Sequence, residues 1–293
     1  MGGLHIIWNP VAGNGAAVKA HASVCTELDR RGILFTEQET AYPGHAVMLA
    51  REAAGKYEKV LVLGGDGTVR DISIGVIGSD TVLGIVPCGT GNDLVRPLGI
   101  PRDPVEALNV ALGGRVRLMD AAMVNDELFF NISAFGFDVD VLNYVEVYKK
   151  KIRNGSLAYK AGLLRALMHL TSRRVTLTWP EGRLETNALI VAAANGTHFG
   201  GGMKIAPDAD PFDGKLDVCV IHDITYRNAL NILPSFLKGK HLKYRDNVEY
   251  FRTTELTATA EPASRIDIDG ELMPGTPVTF RILPQKLKVV VPE

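Results

Sequence analysis

Cysteine is scarce in this 293-residue chain: Cys25, Cys88 and Cys219 stand far apart, odd in number and without a Cys-x-x-Cys pair. That excludes a disulfide framework and a cysteine-built zinc site, and makes a reducing cytoplasm the expected compartment. Net charge is equally thin. Lys and Arg number 32 against 33 Asp and Glu, a balance of -1, so no global field selects nucleic acid as a partner. Apolar runs are short as well, and none approaches the roughly 18 residues of a membrane span. The chain is expected to enter a strand almost at once, with no leader, and to touch a bilayer only peripherally. What it does hold is 46% hydrophobic residues, enough for one large or two medium cores.

Its glycines concentrate where chemistry can use them. Three glycine-rich loops each follow a short apolar run directly: Asn9-Pro10-Val11-Ala12-Gly13-Asn14-Gly15, Gly64-Gly65-Asp66-Gly67-Thr68 and Gly89-Thr90-Gly91-Asn92-Asp93. In an open parallel sheet such loops leave the carboxyl ends of the strands and share one rim. There, backbone N–H groups and helix N-termini favour phosphate oxygens. Neither the P-loop spacing with its lysine nor the Gly-x-Gly-x-x-Gly fingerprint is present. Asp66 sits at the centre of its loop, where a carboxylate beside phosphates implies an intervening Mg²⁺. A lone Gly-Asp-Gly is most simply a capped turn, but the second strand–loop repeat, with Asp93 opening a helix, favours a nucleotide-using enzyme.

The texture of the chain changes near residue 120. Before it, strands at Leu4–Trp8, Ile33–Thr36, Val60–Leu63 and Val82–Val86 alternate with helices at Ala17–Arg31, Gly44–Gly55, Val69–Val76 and Pro104–Leu112. That is the βαβ pattern of a mostly parallel, doubly covered sheet. After it come β-rich segments: Ala121–Val124, Glu127–Ser133, Val175–Trp179, Ala188–Ala193, Leu216–Ile221, Glu255–Ala260, Arg265–Asp269, Val278–Ile282 and Leu287–Val291. They predict a mainly antiparallel β-sandwich or partly closed barrel, interrupted by helix at Val141–Ser172 and near 225–239. The expected domains are therefore 1–120, α/β, and 121–293, β-sandwich, with the last residues returning to the first.

The three loops, with the first read as Asn9-Pro10…Gly13 and the third extended as Pro87-Cys88-Gly89-Thr90-Gly91-Asn92-Asp93-Leu94, resemble the diacylglycerol kinase catalytic-domain family. That family holds soluble bacterial lipid kinases and the related sphingosine and ceramide kinases. The likeness continues through Gly200-Gly201-Gly202, Ala206-Pro207-Asp208-Ala209, Asp213-Gly214-Lys215-Leu216-Asp217-Val218 and Asp269-Gly270-Glu271, in the expected order along nearly the whole chain. It implies an NAD kinase/diacylglycerol kinase-like α/β domain, a β-sandwich domain and an active cleft between them. It further implies an ATP- and Mg²⁺-dependent kinase that phosphorylates a primary lipid hydroxyl, with diacylglycerol as the leading substrate and phosphatidic acid as the product.

Carried over by motif, Asn9, Thr40, Gly64, Gly65, Asp66, Gly67, Thr68, Thr90 and Asn92 match nucleotide-holding positions. Asp66, Asp93 and Asp120 match acidic positions that organise Mg²⁺. Asp120 also ends the Arg115–Met119 strand, where a surface turn is the plain alternative. Asp269 matches the general base and Glu271 a supporter of nucleotide or metal. On spacing alone the Asp-Gly pair reads as a hairpin turn, and alternation puts Asp267 and Asp269 on one face, opposite Ile266 and Ile268. Asp210, Asp213 and Lys215 match a structural Mg²⁺ site, Asp210 and Lys215 through main chain, although turn chemistry also accounts for the cluster. Two positions depart from the family: Asn14 replaces a basic residue, and Arg70-Asp71 replaces an Asn-Glu pair. Arg70 is read either as restoring a phosphate contact or as solvated.

Between Lys149 and Arg174 lie eight Lys or Arg and no acid. Leu157, Leu163, Leu164, Leu167, Met168 and Leu170 are interleaved, and Lys160, Arg165, His169 and Arg173 fall near one helical stripe. A core-packed helix is the plain reading; a cationic amphipathic element on anionic lipid is the sharper one. Lys238, Lys240, Lys243 and Arg245 form a second basic run. An NAD kinase-like enzyme and a non-catalytic nucleotide or lipid sensor on the same fold are the alternatives, and a homodimer is among the expected assemblies.

Overall fold

The computed structural model describes residues 2–152, 155–222, 224, 228, 232 and 235–293. It divides into two compact units. The first comprises Met1–Ala121, Pro211–Gly214 and Leu283–Glu293, and the second Ala122–Asp210 and Lys215–Ile282.

In the first unit, β1 (Leu4–Trp8), α1 (Ala16–Arg30), β2 (Phe35–Glu39), α2 (His45–Ala53), β3 (Lys59–Gly64), α3 (Asp66–Val76), β4 (Val82–Pro87) and α4 (Pro104–Gly113) alternate along the chain. The strands lie in the order β4-β3-β1-β2, all parallel. Val60, Leu61, Val62 and Leu63 are fully buried, as a central strand covered on both faces requires. α1 buries Ala17, Ala20, Val24 and Leu28, a single stripe at helical spacing. α4 starts where Asp103 accepts the Val105 and Glu106 N–H groups at 3.0 Å with Pro104 at the first helical position.

Three sequence expectations shift here. β2 starts at Phe35 rather than Ile33, because the Gly32 and Ile33 N–H groups still close the end of α1 on Asp29 and Leu28 carbonyls. α3 begins at Asp66, inside the glycine loop, where its acid meets the positive end of the helix dipole. Asp93 opens no helix: the chain there runs through turns closed by Arg96 N–H on the Asp93 carbonyl and Gly99 N–H on the Arg96 carbonyl. Pro97 lacks the N–H that a continuing helix would need.

The second unit is antiparallel. The end of β5 (Arg115–Val124) pairs β6 (Glu127–Phe129), and β7 (Ile132–Gly136), α5 (Phe137–Lys149) and α6 (Gly155–Leu167) follow. Then come β8 (Arg173–Trp179), β9 (Gly182–Ala194), β10 (Leu216–His222), β11 (Val248–Thr253), β12 (Glu255–Glu261), β13 (Ile266–Ile268), β14 (Glu271–Met273) and β15 (Val278–Val291). β9 is long enough to serve two neighbourhoods. Its first half pairs β8, which leads on to β12 and the start of β15; its second half lies between β7 and β10. That second half is buried on both faces: Val191 and Ala193 join the core with Phe135, Val218, Leu256 and Phe280, while Ile190, Ala192 and Ala194 join the core with Phe199, Met203 and Phe236.

Corrections follow from local geometry. The expected Glu127–Ser133 strand breaks at Phe130-Asn131, whose N–H groups are diverted to a side chain described below. Arg265–Asp269 shortens to β13, and the two expected final segments form the single strand β15. β11 and β14 had no sequence signal, since neither alternates cleanly. The helix expected over Val141–Ser172 is α5 and α6, and Arg173 belongs to β8. The interruption expected near 225–239 falls largely outside the described residues.

Candidate active site

In the first unit the three glycine loops meet. Asn9, just past β1, donates from its side-chain amide to Thr68 Oγ1 at 3.0 Å, tying the first loop to the second. Cys88 N–H bonds to the Gly64 carbonyl at 2.7 Å, tying the second to the third. Asp66 Oδ1 accepts the N–H groups of Asp93 at 2.7 Å and Leu94 at 3.3 Å. The loop backbones also approach directly: a Cβ on Gly89 would lie 2.5 Å from Gly65 Cα, and one on Gly13 1.9 Å from the Cys88 carbonyl oxygen. Thr40 follows β2, its N–H on the Trp8 carbonyl at 2.9 Å, beside Asn9. The rim read from spacing is therefore a physical object.

Asn92 shapes its own loop. Its amide accepts Gly89 N–H and donates to the Gly89 carbonyl, both at 2.8 Å, so it shapes the loop from inside. Its φ of 50° places it in the left-handed region that Asn tolerates. Thr90 is exposed on the same loop. Arg70 is buried in α3, not solvated. Burial pushes the Cys88 thiol up to about 11, so it stays protonated and unreactive at neutral pH.

The acidic residues divide their roles. Asp93 ion-pairs with Arg96 at 3.3 Å. Asp120 is fully buried within β5, not at a strand end, and both its oxygens accept backbone N–H bonds at 2.7 Å, one from Gly214 and one from Gln285. It pins two distant chain segments to the first unit. Asp120→Ala strands both donors and is expected to cost about 3 kcal/mol of stability, read as an earlier urea midpoint. Among the described residues Asp66, Asp93 and Asp120 do not form one close donor set; the group that does is His21, Cys25 and Glu37. There His21 Nε2 and Glu37 Oε2 share a hydrogen bond at 2.6 Å, and burial beside Glu37 pushes the Cys25 thiol up to about 12. Asp213 belongs to the first unit, Asp210 and Lys215 to the second.

In the second unit Asp269 closes the β13–β14 turn at φ 50°. Its carboxylate sits in a nest of three consecutive N–H groups: Phe130 at 2.8 Å, Asn131 at 3.0 Å and Ile132 at 3.0 Å. The segment supplying them is itself held by the Asn195 amide on the Phe130 carbonyl (2.8 Å) and the Asn131 amide on the His198 carbonyl (2.7 Å). Asp269 thus leaves the strand face that alternation assigned to it, and Asp267, its expected companion, is buried instead. Glu271 opens β14, exposed, two residues on.

The second unit also holds a feature invisible to motif reading. A cavity of about 60 Å³, partly open to solvent, is lined by Phe137, Val141, Leu167, Leu170, Ile190, Phe199 and other apolar side chains. Asp138 is the one ionisable acid among its described lining residues. Its lining is almost wholly apolar.

A rim of three glycine loops in one unit and an apolar pocket with a buried carboxyl in its lining in the other are the features to set against known proteins, and the comparisons identify a lipid kinase. The diacylglycerol kinase catalytic domain profile matches residues 3–124, and the YegS C-terminal NAD kinase beta sandwich-like domain profile matches 131–291. The chain belongs to the diacylglycerol kinase catalytic-domain family. It is 28% identical to the diacylglycerol kinase of Bacillus subtilis over 98% of this chain and 96% of that one. To a YegS-like lipid kinase of Chromohalobacter salexigens it is 32% identical over 85% of this chain and 81% of that one. Two solved structures of diacylglycerol kinase type from Bacillus anthracis share the fold, with TM-scores of 0.83 and 0.73 at 24% and 21% identity, over 99% of this chain and 95% and 96% of theirs.

Proposed function

We propose that this lipid kinase transfers the γ-phosphoryl group of ATP to the primary hydroxyl of diacylglycerol. The observation that carries the substrate assignment is the apolar pocket with Asp138 at its lining and the Asp269 turn in the same unit. The glycine rim, with Asn9, Thr40, Thr68 and Thr90, holds the nucleotide. Mg²⁺ fits the chemistry of that rim: carboxylate oxygen is its preferred ligand. Asp66 keeps a second oxygen without a hydrogen bond among the described residues. Asp66 would hold the ion, with Asp93, whose N–H it already binds, beside it. Bound there, Mg²⁺ neutralises charge on the transferring phosphoryl group.

Asp269 accepts the proton of the lipid hydroxyl, and its nest fixes the carboxylate so that no reorganisation is needed. Glu271 supports the nucleotide end. Lipid is taken from an anionic membrane face. Leu157, Leu164 and Met168 are more than half exposed, among the exposed Lys149, Lys150, Lys160 and Arg165, a combination that suits an acidic interface. Arg173 is not part of that stripe, since its guanidinium pairs with Asp140 at 3.1 Å. No described helix is long and apolar enough to cross a membrane.

Labelled ATP with dispersed diacylglycerol, sphingoid base, ceramide or NAD, with Mg²⁺ or EDTA, tests the reading. Labelled phosphatidic acid that requires Mg²⁺ is expected. Labelled NAD would transfer the case to an NAD kinase-like enzyme, and nucleotide binding without any labelled product to a sensor.

A further inference from the structure

Asp138 and Asp267 are both buried, and no motif singled out either one for a task. Asp138 occupies the first turn of α5; Asp267 is the middle residue of β13. No hydrogen bond of good geometry reaches either oxygen of Asp138 from an N–H or hydroxyl group, and the packing of α5 against β13 brings its buried carboxyl into the field of the buried Asp267 carboxyl. Two carboxylates at such range repel unless a proton lies between them. Asp267 Oδ1 also accepts Gly270 N–H at 2.7 Å, and Ser133 Oγ donates to the Asp267 carbonyl at 2.7 Å. The pair therefore touches the apolar pocket through Asp138 and the Asp269 turn through Asp267.

We propose that Asp138 and Asp267 share one proton and act as positioning residues, keeping the Asp269 turn closed against the polar end of the lipid pocket. Loss of that proton sets two negative charges against each other in a dry site, and the turn loosens. The assignment of catalysis to the Asp269 turn rests on the lipid kinase reading above; the shared proton does not.

The surroundings favour the protonated pair. Burial is the largest cause raising both carboxyls, followed for Asp267 by the charge of Asp138, with Asp269 and Asp140 adding negative charge nearby. Asp140 is partly neutralised by Arg173. On α6, Lys160 and Arg165 are exposed, the latter over the Tyr144 ring. Arg265, preceding β13, is engaged with Asn143 and the Leu272 carbonyl, and Glu271 on β14 is exposed. β7 and residues 188–194 of β9 carry no ionisable side chain. No cation on these elements is described as paired with either acid, so a proton is the available counter-charge.

The sign of the linkage is fixed. Carboxyls raised above their unfolded values add stability below the unfolded carboxylate range, and lose it as pH rises through the folded value. Infrared difference spectra of wild type against Asp138→Asn at pH 6 should show the carbonyl stretch of a protonated carboxylic acid, fading as pH rises. Thermal midpoints of wild type should fall over the same interval, while those of Asp138→Asn, whose amide donates to Asp267 at every pH, stay flatter. In lipid phosphorylation, kcat of wild type should fall about tenfold per pH unit on the alkaline side, and Asp138→Asn should lose that limb. Parallel pH profiles with no protonated-carboxyl signal would overturn the proposal. Absence of lipid phosphorylation by wild type would instead remove the kinase reading, leaving the spectra and midpoints to judge the pair. Asp138→Leu, which isolates Asp267, should be impaired at all pH values.

Discussion

Asp269→Asn is expected to lower kcat for lipid phosphorylation by about 10²–10⁴-fold while nucleotide affinity is retained. The reason lies in what the nest does. Three consecutive N–H groups converge on one carboxylate, so both oxygens are placed without any contribution from substrate. An amide keeps one acceptor for the Asn131 and Ile132 donors but turns an NH₂ toward Phe130 N–H. It also has no capacity to take a proton. Asp269→Glu restores the charge on a longer arm that does not seat in the same nest, and should recover little. Lipid turnover, nucleotide binding and a thermal melt measured together separate chemistry from folding. An Asn variant that kept half its activity, properly folded, would move the base elsewhere.

The second large effect concerns the rim. Gly13→Ala is expected to weaken ATP binding by at least about 100-fold and to destabilise the protein by about 3 kcal/mol. Gly13 sits at φ 60°, and its new Cβ would fall 1.9 Å from the Cys88 carbonyl oxygen. Left-handed backbone alone costs Ala roughly 1 kcal/mol; the clash forces the first and third loops apart, which removes the cradle. Gly15→Ala is the control. Gly15 is at φ 90° with nothing within 4 Å of a new Cβ, so it bears strain without collision. Isothermal titration with an ATP analogue, alongside urea midpoints, should show Gly13→Ala far worse than Gly15→Ala. Equal effects would mean that the loops do not need to touch.

Catalysis of this kind depends more on placement than on reactive side chains, and both predictions concern groups held by backbone contacts. Asn92 makes the same point on a smaller scale. It is spent on its own loop, and its amide fixes where the Gly89 and Asp93 backbones stand.

Parallel strands buried on both faces read as unbroken apolar runs, so β1, β3 and β4 were legible at nearly their true limits. Each is followed by glycines, so the rim was legible with them. The motifs also carried the family. What periodicity could not supply was anything made by residues distant in the chain. Asp120 read as a strand-end acid facing the rim, with a surface turn as the alternative, because its donors, Gly214 and Gln285, lie 94 and 165 residues away. Asp269 left its strand face because the backbone of Phe130–Ile132 offered it three donors. Asp138 carried no motif, and became a candidate only when α5 set it beside Asp267 and an apolar pocket. Local propensity and patterning act over a few residues, so the sequence by itself determined the strands, the glycine loops and the family. Burial and long-range hydrogen bonding, which exist only after the chain has folded, decided that Asp120 ties distant segments together, that Asp269 sits in a nest of N–H groups, and that Asp138 and Asp267 are buried.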